Sequence, residues 1–149
     1  MNSDFGVAIH ALVYLNHKAG VVSSEELAGN ICTNPARVRK VLAPLRRAGL
    51  LATQEGNAGG YCFTAEAGRV TLCQVADALG SRFVSFSWHS GDVNRPCLVS
   101  SGMGKVMDDL ADELDDLCRA RLAQMTIEEI DRIIFKGRCA DAPAGKAGL

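Results

Sequence analysis

Apolar residues recur at helical spacing from the start of the chain. Phe5, Ala8, Ile9, Leu12, Val13 and Leu15 trace one face of a helix that Ser3 can cap and Gly20 can stop. A second helix follows at once. Ser23 and Glu26 have the spacing of a capping box, in which each side chain serves the other's backbone N–H, and Leu27, Ala28 and Ile31 supply a short apolar face. After the turn Cys32-Thr33-Asn34, Asn34 is placed to cap a third helix, with Pro35 at its first position, where a missing N–H costs nothing. That helix is predicted from Pro35 to about Ala48, burying Val38, Val41, Leu42 and Leu45 and ending at Gly49. Pro44 removes the hydrogen bond to the Lys40 carbonyl, so a bend or early finish is expected there.

Two short β segments, Leu50 to Gln54 and Tyr61 to Thr64, flank Gly56-Asn57-Ala58-Gly59-Gly60 and read as a hairpin. Thr71 caps a further helix carrying Leu72, Val75, Ala76 and Leu79, and residues 80 to 96, rich in Ser, Gly and Asn, read as a loop or mobile hinge. A long helix is predicted from about Ser101 to Gln124. Its Met103, Met107, Leu110, Leu114 and Leu117 are spaced 4, 3, 4 and 3 apart, a narrow seam suited to one partner helix. Thr126-Ile127-Glu128-Glu129 opens a last helix with a second capping box, and residues 137–149 read as a disordered tail.

Three helices and a Gly-tipped hairpin, in that order, make a winged helix-turn-helix. The expected fold is therefore mainly α with a small β-hairpin wing, plus a long dimerisation helix. The expected organisation is a DNA-binding domain over 1–80, a hinge or sensor loop over 81–97, dimerisation helices over 98–136 and the tail.

The 149 residues carry 16 Lys plus Arg against 17 Asp plus Glu, a balance that hides two opposed blocks. Residues 33 to 47 hold Arg37, Arg39, Lys40, Arg46 and Arg47 with no acid, whereas residues 108 to 116 hold six acids in nine positions with no base. The basic block suits a polyanion, and the acidic one should point away from it or dock a basic protein partner. Arg37, Arg39 and Lys40 lie in the first turns of helix 3, within reach of phosphates and base edges, and the N–H groups of Thr33 to Ala36 can hold a phosphate. Arg46 and Arg47 also complement the helix dipole. No apolar run approaches the roughly 18 residues of a membrane span, and no basic region precedes the first apolar stretch, so a cytoplasmic protein is expected.

Ala8-Ile9-His10-Ala11-Leu12, Ser24-Glu25-Glu26-Leu27-Ala28, Thr33-Asn34-Pro35-Ala36-Arg37-Val38-Arg39-Lys40, Leu45-Arg46-Arg47-Ala48-Gly49-Leu50 and Gly59-Gly60-Tyr61 stand in an order and spacing that resemble the Rrf2 family of bacterial transcription regulators. The resemblance implies a homodimeric repressor whose long helix crosses its twin and whose two recognition helices bind double-stranded DNA at a pseudo-palindromic operator. It places DNA contacts at Ser24, Thr33, Asn34, Pro35, Arg37, Val38, Arg39, Lys40, Gly59, Gly60 and Tyr61, and the dimer interface at Met103, Met107, Leu110, Leu114 and Leu117. Glu55 departs from the arginine that members often carry in the wing, and an acid there cannot enter a minor groove.

Cysteines 32, 62, 73, 97, 118 and 139 lie no closer than eleven positions apart, with no C-x-x-C, so reduced thiols are expected rather than disulfides. Iron-sulfur members of the family carry three closely spaced cysteines before the long helix. Here Cys97 stands alone, so a cluster is not expected. A nonstandard site drawing on Cys97, His89 and His10 is the alternative ligand set, although His10 and His17 read as ordinary helix residues. Cys97, after Pro96 and before a helix N-terminus, is the candidate redox sensor. Phe83, Phe86 and Trp88 read as packing of the loop or as a pocket lining. Catalysis by Cys97 and His89 is not expected, since no orienting acid, oxyanion motif or phosphate loop accompanies them.

Overall fold

The computed structural model describes residues 3–140, with side chains to Lys136. It contains α1 (Ser3–Lys18), α2 (Ser24–Ile31), α3 (Pro35–Arg47), β1 (Leu51–Gln54), β2 (Gly60–Phe63), α4 (Leu72–Leu79), α5 (Leu98–Leu122) and α6 (Ile127–Ala140). The mainly α architecture with one hairpin is the predicted one. The core gathers Ala8, Leu12 and Leu15 of α1, Leu27 of α2, Val38, Val41, Leu42 and Leu45 of α3, and Val75 of α4.

The helix ends differ in detail from the predicted ones. Ser3 lies inside α1 rather than capping it, and α1 stops at Lys18 because Ala19, not Gly20, takes the left-handed conformation. Ser23 caps α2 by accepting from the Glu26 N–H, but the Glu26 carboxylate turns to the Tyr14 hydroxyl at 2.8 Å and to Lys18, so only half of that box forms. The box at Thr71 is complete, with Gln74 as its reciprocal partner. Pro44 neither shortens nor ends α3. Only one bond is lost, and the following residues close the helix by Ala48 N–H to the Pro44 carbonyl, Gly49 N–H to Arg46 and Leu50 N–H to Leu45.

β1 and β2 pair antiparallel, with Leu51 opposite Phe63 and Thr53 opposite Tyr61. The wing is also stitched to the helix-turn-helix. Val22, just before α2, exchanges both backbone hydrogen bonds with Tyr61, at 2.9 and 2.8 Å. This approach explains Gly60: a Cβ there would stand 2.2 Å from the Val22 carbonyl oxygen, so only glycine lets the two backbones meet.

α6 crosses the predicted boundary at residue 97. Ile127 is fully buried in the core, its N–H donates to Val70, and Leu72 N–H donates to Met125. α6 therefore packs on α1 of its own chain. It also continues to Ala140, past the predicted start of the tail, and residues 141–149 lie outside the described residues.

Residues 81–84 form a strap pinned to α5 rather than a loose hinge. Asp115, buried on α5, accepts the N–H groups of Phe83 at 2.6 Å and Val84 at 3.0 Å through one carboxylate oxygen. Its other oxygen holds Arg119 at 3.0 Å, and Arg119 reaches on to Asp77 of α4 and to the Ser81 carbonyl. Arg82 pairs with Asp112 and donates to the Val84 carbonyl. His89 meets Asp108 at 2.6 Å, and Lys105 pairs with Asp109. The acidic block, expected to point away from a polyanion or dock a basic partner, spends four of its six acids within the chain.

Candidate nucleic-acid interface

Asn34 caps α3 through a 2.8 Å bond from the Arg37 N–H, which fixes the start of the helix and hence the rotation of every side chain along it. At about 100° per residue, the buried residues Val38, Val41, Leu42 and Leu45 define the inward face. The opposite face carries Ala36, Lys40, Ala43 and Arg47. Arg39 and Arg46 flank this stripe on one side, and Arg37 and Pro44 flank it on the other.

The structure divides the predicted contact residues accordingly. Lys40 is exposed on the outward stripe, and no acid pairs with Lys40, Arg46 or Arg47 among the described residues. Arg39 donates to the Ser24 hydroxyl at 2.9 Å and lies 3.6 Å from Glu25, on the side facing α2 and the wing. Tyr61 sits beside the same cations: burial pushes its phenol pKa up, and Arg39 and Arg46 oppose that. The Asn34 side chain is engaged in its cap, and Pro35 occupies the first helical position. Gly59 closes the wing turn by donating to the Gly56 carbonyl, and Gly60 abuts Val22.

Other predicted positions are corrected. Val38 is fully buried, because the rotation that aims Lys40 outward aims Val38 into the core. It cannot touch DNA. Ser24 is buried and its hydroxyl is taken up by Arg39 and Glu25. The Thr33 N–H is spent on the Ala28 carbonyl at 2.9 Å, and Pro35 has none, so the expected row of N–H groups is reduced to those of Asn34 and Ala36. Arg37 turns to α1, where it donates to Ser3 and Asp4. Arg46 and Arg47 occupy the last turn of α3, where they complement the helix dipole and also share the exposed basic surface. Nothing in composition would have separated Arg37 from Arg47; the angular position around α3 does.

Along α5, Leu110, Leu114 and Leu117 are 41%, 38% and 61% exposed, and Met103 and Met107 are partly covered. The seam is thus not satisfied by the chain's own core. Leu114 and Leu117 form one wall of an apolar groove of about 700 Å³ whose other wall includes Phe5, Phe83 and Val84.

The thiols are scattered. Cys97 is exposed at the N-cap of α5, and the N–H groups of Ser100 and then Val99 hold its pKa below the usual thiol value against a small desolvation effect. Cys118 lies 21 residues further along the same helix, about 31 Å away at 1.5 Å per residue. His10 is engaged by Asn30 at 2.7 Å, and His17 stacks on Phe135. His89 does gain an orienting acid, Asp108, but Cys97 does not line the cavity around that pair. No group of three or more His, Cys, Asp or Glu converges among the described residues. No helix of the described residues is long and apolar enough to cross a membrane.

These features agree with three comparisons. The sequence profile of the Rrf2 family, described as iron-dependent transcriptional regulator, matches residues 1–132. A protein of Bacillus subtilis (strain 168) named as the HTH-type transcriptional regulator YwnA is 25% identical over 137 residues, covering 91% of this chain and 99% of that one. Among solved structures, a transcriptional regulator from Lactobacillus plantarum superimposes with a TM-score of 0.78 at 23% identity, covering 95% of this chain and all of that one. CymR, named the global cysteine regulator of B. subtilis, does so with a TM-score of 0.65 at 17% identity, covering 89% and 96%. With a family match over nearly the whole chain and a fold shared from α1 to α6, the chain belongs to the Rrf2 family of transcriptional regulators.

Proposed function

We propose that the protein is a cytoplasmic homodimer that binds a two-fold-related DNA operator and acts as a repressor. The observation that carries this reading is the acid-free outward face of α3, Lys40 and Arg47 with Arg39 and Arg46 beside them, standing next to the Gly59-Gly60-Tyr61 wing. Lys40 and Arg47 meet phosphates across the major groove, while Arg39 and Arg46 lie where α3 and the wing converge. The uncovered Leu110, Leu114 and Leu117 seam favours a second copy of α5 as its cover, which would place two recognition helices under one two-fold axis. A Leu114→Glu variant tests the link between assembly and binding. It is expected to sediment as a folded monomer and to lose at least tenfold in affinity for DNA selected from a random duplex pool. A Leu114→Glu protein that remains dimeric would remove the seam from the reading.

The signal best supported is oxidation of Cys97. Its exposure and the flanking N–H groups of Ser100 and Val99 favour thiolate, which a peroxide converts to sulfenic acid with release of water or alcohol. A thiol signal also suits the kinship of fold with CymR. Peroxide is expected to change the DNA affinity of the wild type and leave Cys97→Ser unaffected. Equal responses in a gel shift would reject Cys97 as the sensor.

A further inference from the structure

Arg37 belongs to the basic block but not to its outward stripe. The 100° step puts it about 90° round the helix from the centre of that stripe, on the flank turned to α1. Its terminal nitrogen Nη2 donates to Ser3 Oγ at 2.7 Å and to Asp4 Oδ1 at 3.0 Å, joining residues more than thirty positions apart. Its backbone N–H is at the same time the donor that closes the Asn34 cap. One residue thus fixes both where α3 begins and how that first turn sits against the first turn of α1.

We propose that Arg37 is a positioning residue for DNA recognition. With Ser3 and Asp4 it clamps the N-terminal turns of α1 and α3 together and sets the entry angle of α3, without touching DNA itself. This rests on α3 being the recognition helix, as argued above. The clamp is also wired to the strap. Phe5, next to Asp4, meets Phe83 edge-on with ring centroids 5.1 Å apart, and Phe83 is the strap residue whose N–H Asp115 holds. A displacement of the strap would therefore reach the start of α3 through a single aromatic contact and the Asp4 to Arg37 pair.

The clamp and a direct phosphate contact predict opposite signs at Asp4. If Arg37 touched DNA, removing Asp4 would free a competing cation and tighten binding. For the clamp, Asp4→Ala and Arg37→Ala are each expected to weaken binding about three- to fivefold, the range of one partly exposed ion pair. The double variant should be no weaker than either single change, because both remove the same interaction. The salt slope of binding should stay at the wild-type value, and the charge swap Asp4→Arg with Arg37→Asp should restore affinity to within about twofold. Circular dichroism of each variant confirms that it is folded, and the two alanine variants alone decide the sign if the swap does not fold. Tighter binding by Asp4→Ala, or a reduction of the salt slope by about 0.9 for each Arg37 removed, would overturn the clamp. Should Lys40→Ala with Arg47→Ala bind like the wild type, the assignment of α3 to DNA fails instead, and the two failures are told apart by that control.

Discussion

Lys40→Ala combined with Arg47→Ala is expected to weaken binding to the selected duplex about 100-fold at physiological salt, taking roughly tenfold for each lost charge-assisted contact type. Both side chains stand on the exposed face of α3 and have no acidic partner among the described residues, so their removal unpairs nothing within the chain. Alanine is also the best helix former, which offsets the lost dipole complement of Arg47, so thermal stability should be little changed. The loss must then come from the interface. The residual affinity is assigned to Arg39, Arg46 and the wing backbone. A variant that binds within threefold of the wild type in a fluorescence titration would move DNA recognition off this face.

Asp115→Ala should be the most destabilising single change on α5. It strips the Phe83 and Val84 N–H groups of their acceptor and leaves Arg119 facing only Asp77 and the Ser81 carbonyl. Losing bonds to a charged, buried acceptor costs about 3 kcal/mol, which for a chain of this size lowers the melting temperature by about 10 °C. Asp115→Asn retains one acceptor oxygen and should fall between. The pH dependence has a definite sign. The Val84 N–H, aided by Phe83 and Arg119, holds the carboxyl below its ordinary value despite desolvation. Its stabilising contribution is therefore complete above the ordinary carboxylate range, about 3.9, and is lost as pH falls through the lower folded value. Thermal unfolding of the wild type should converge on that of Asp115→Asn in strong acid. Equal melting temperatures at neutral pH would show that the strap is not held by this carboxylate.

Local signals carried most of the helical framework. Asn34-Pro35 specified the start of α3 because capping chemistry and the missing proline N–H act within four residues, and the periodicity of Val38, Val41, Leu42 and Leu45 set its buried face. The Thr71 box and the hairpin are local in the same way. What depended on distant partners was harder to see. Asp115 looked like one acid among six, since its role is set by N–H groups more than thirty residues away, although the i,i+4 spacing to Arg119 was a usable sign. Arg37 read as one cation in a basic run until Ser3 and Asp4 were brought beside it. Ile127 read as a packing position of the last helix, but that it belongs to the core beside Val70 and Leu72 depends on their backbone bonds to the segment entering α6. Val38 illustrates the limit of a motif: it falls inside the recognition sequence, but the helix turns it inward.

The most direct measurement is the salt dependence of DNA binding by the wild-type dimer and by Lys40→Ala with Arg47→Ala. If the outward stripe of α3 meets phosphates in both half-sites, four cations are removed from a dimer and the slope of log affinity against log salt should become shallower by about 3.6, at 0.9 per contact. Parallel slopes for the two proteins would contradict it.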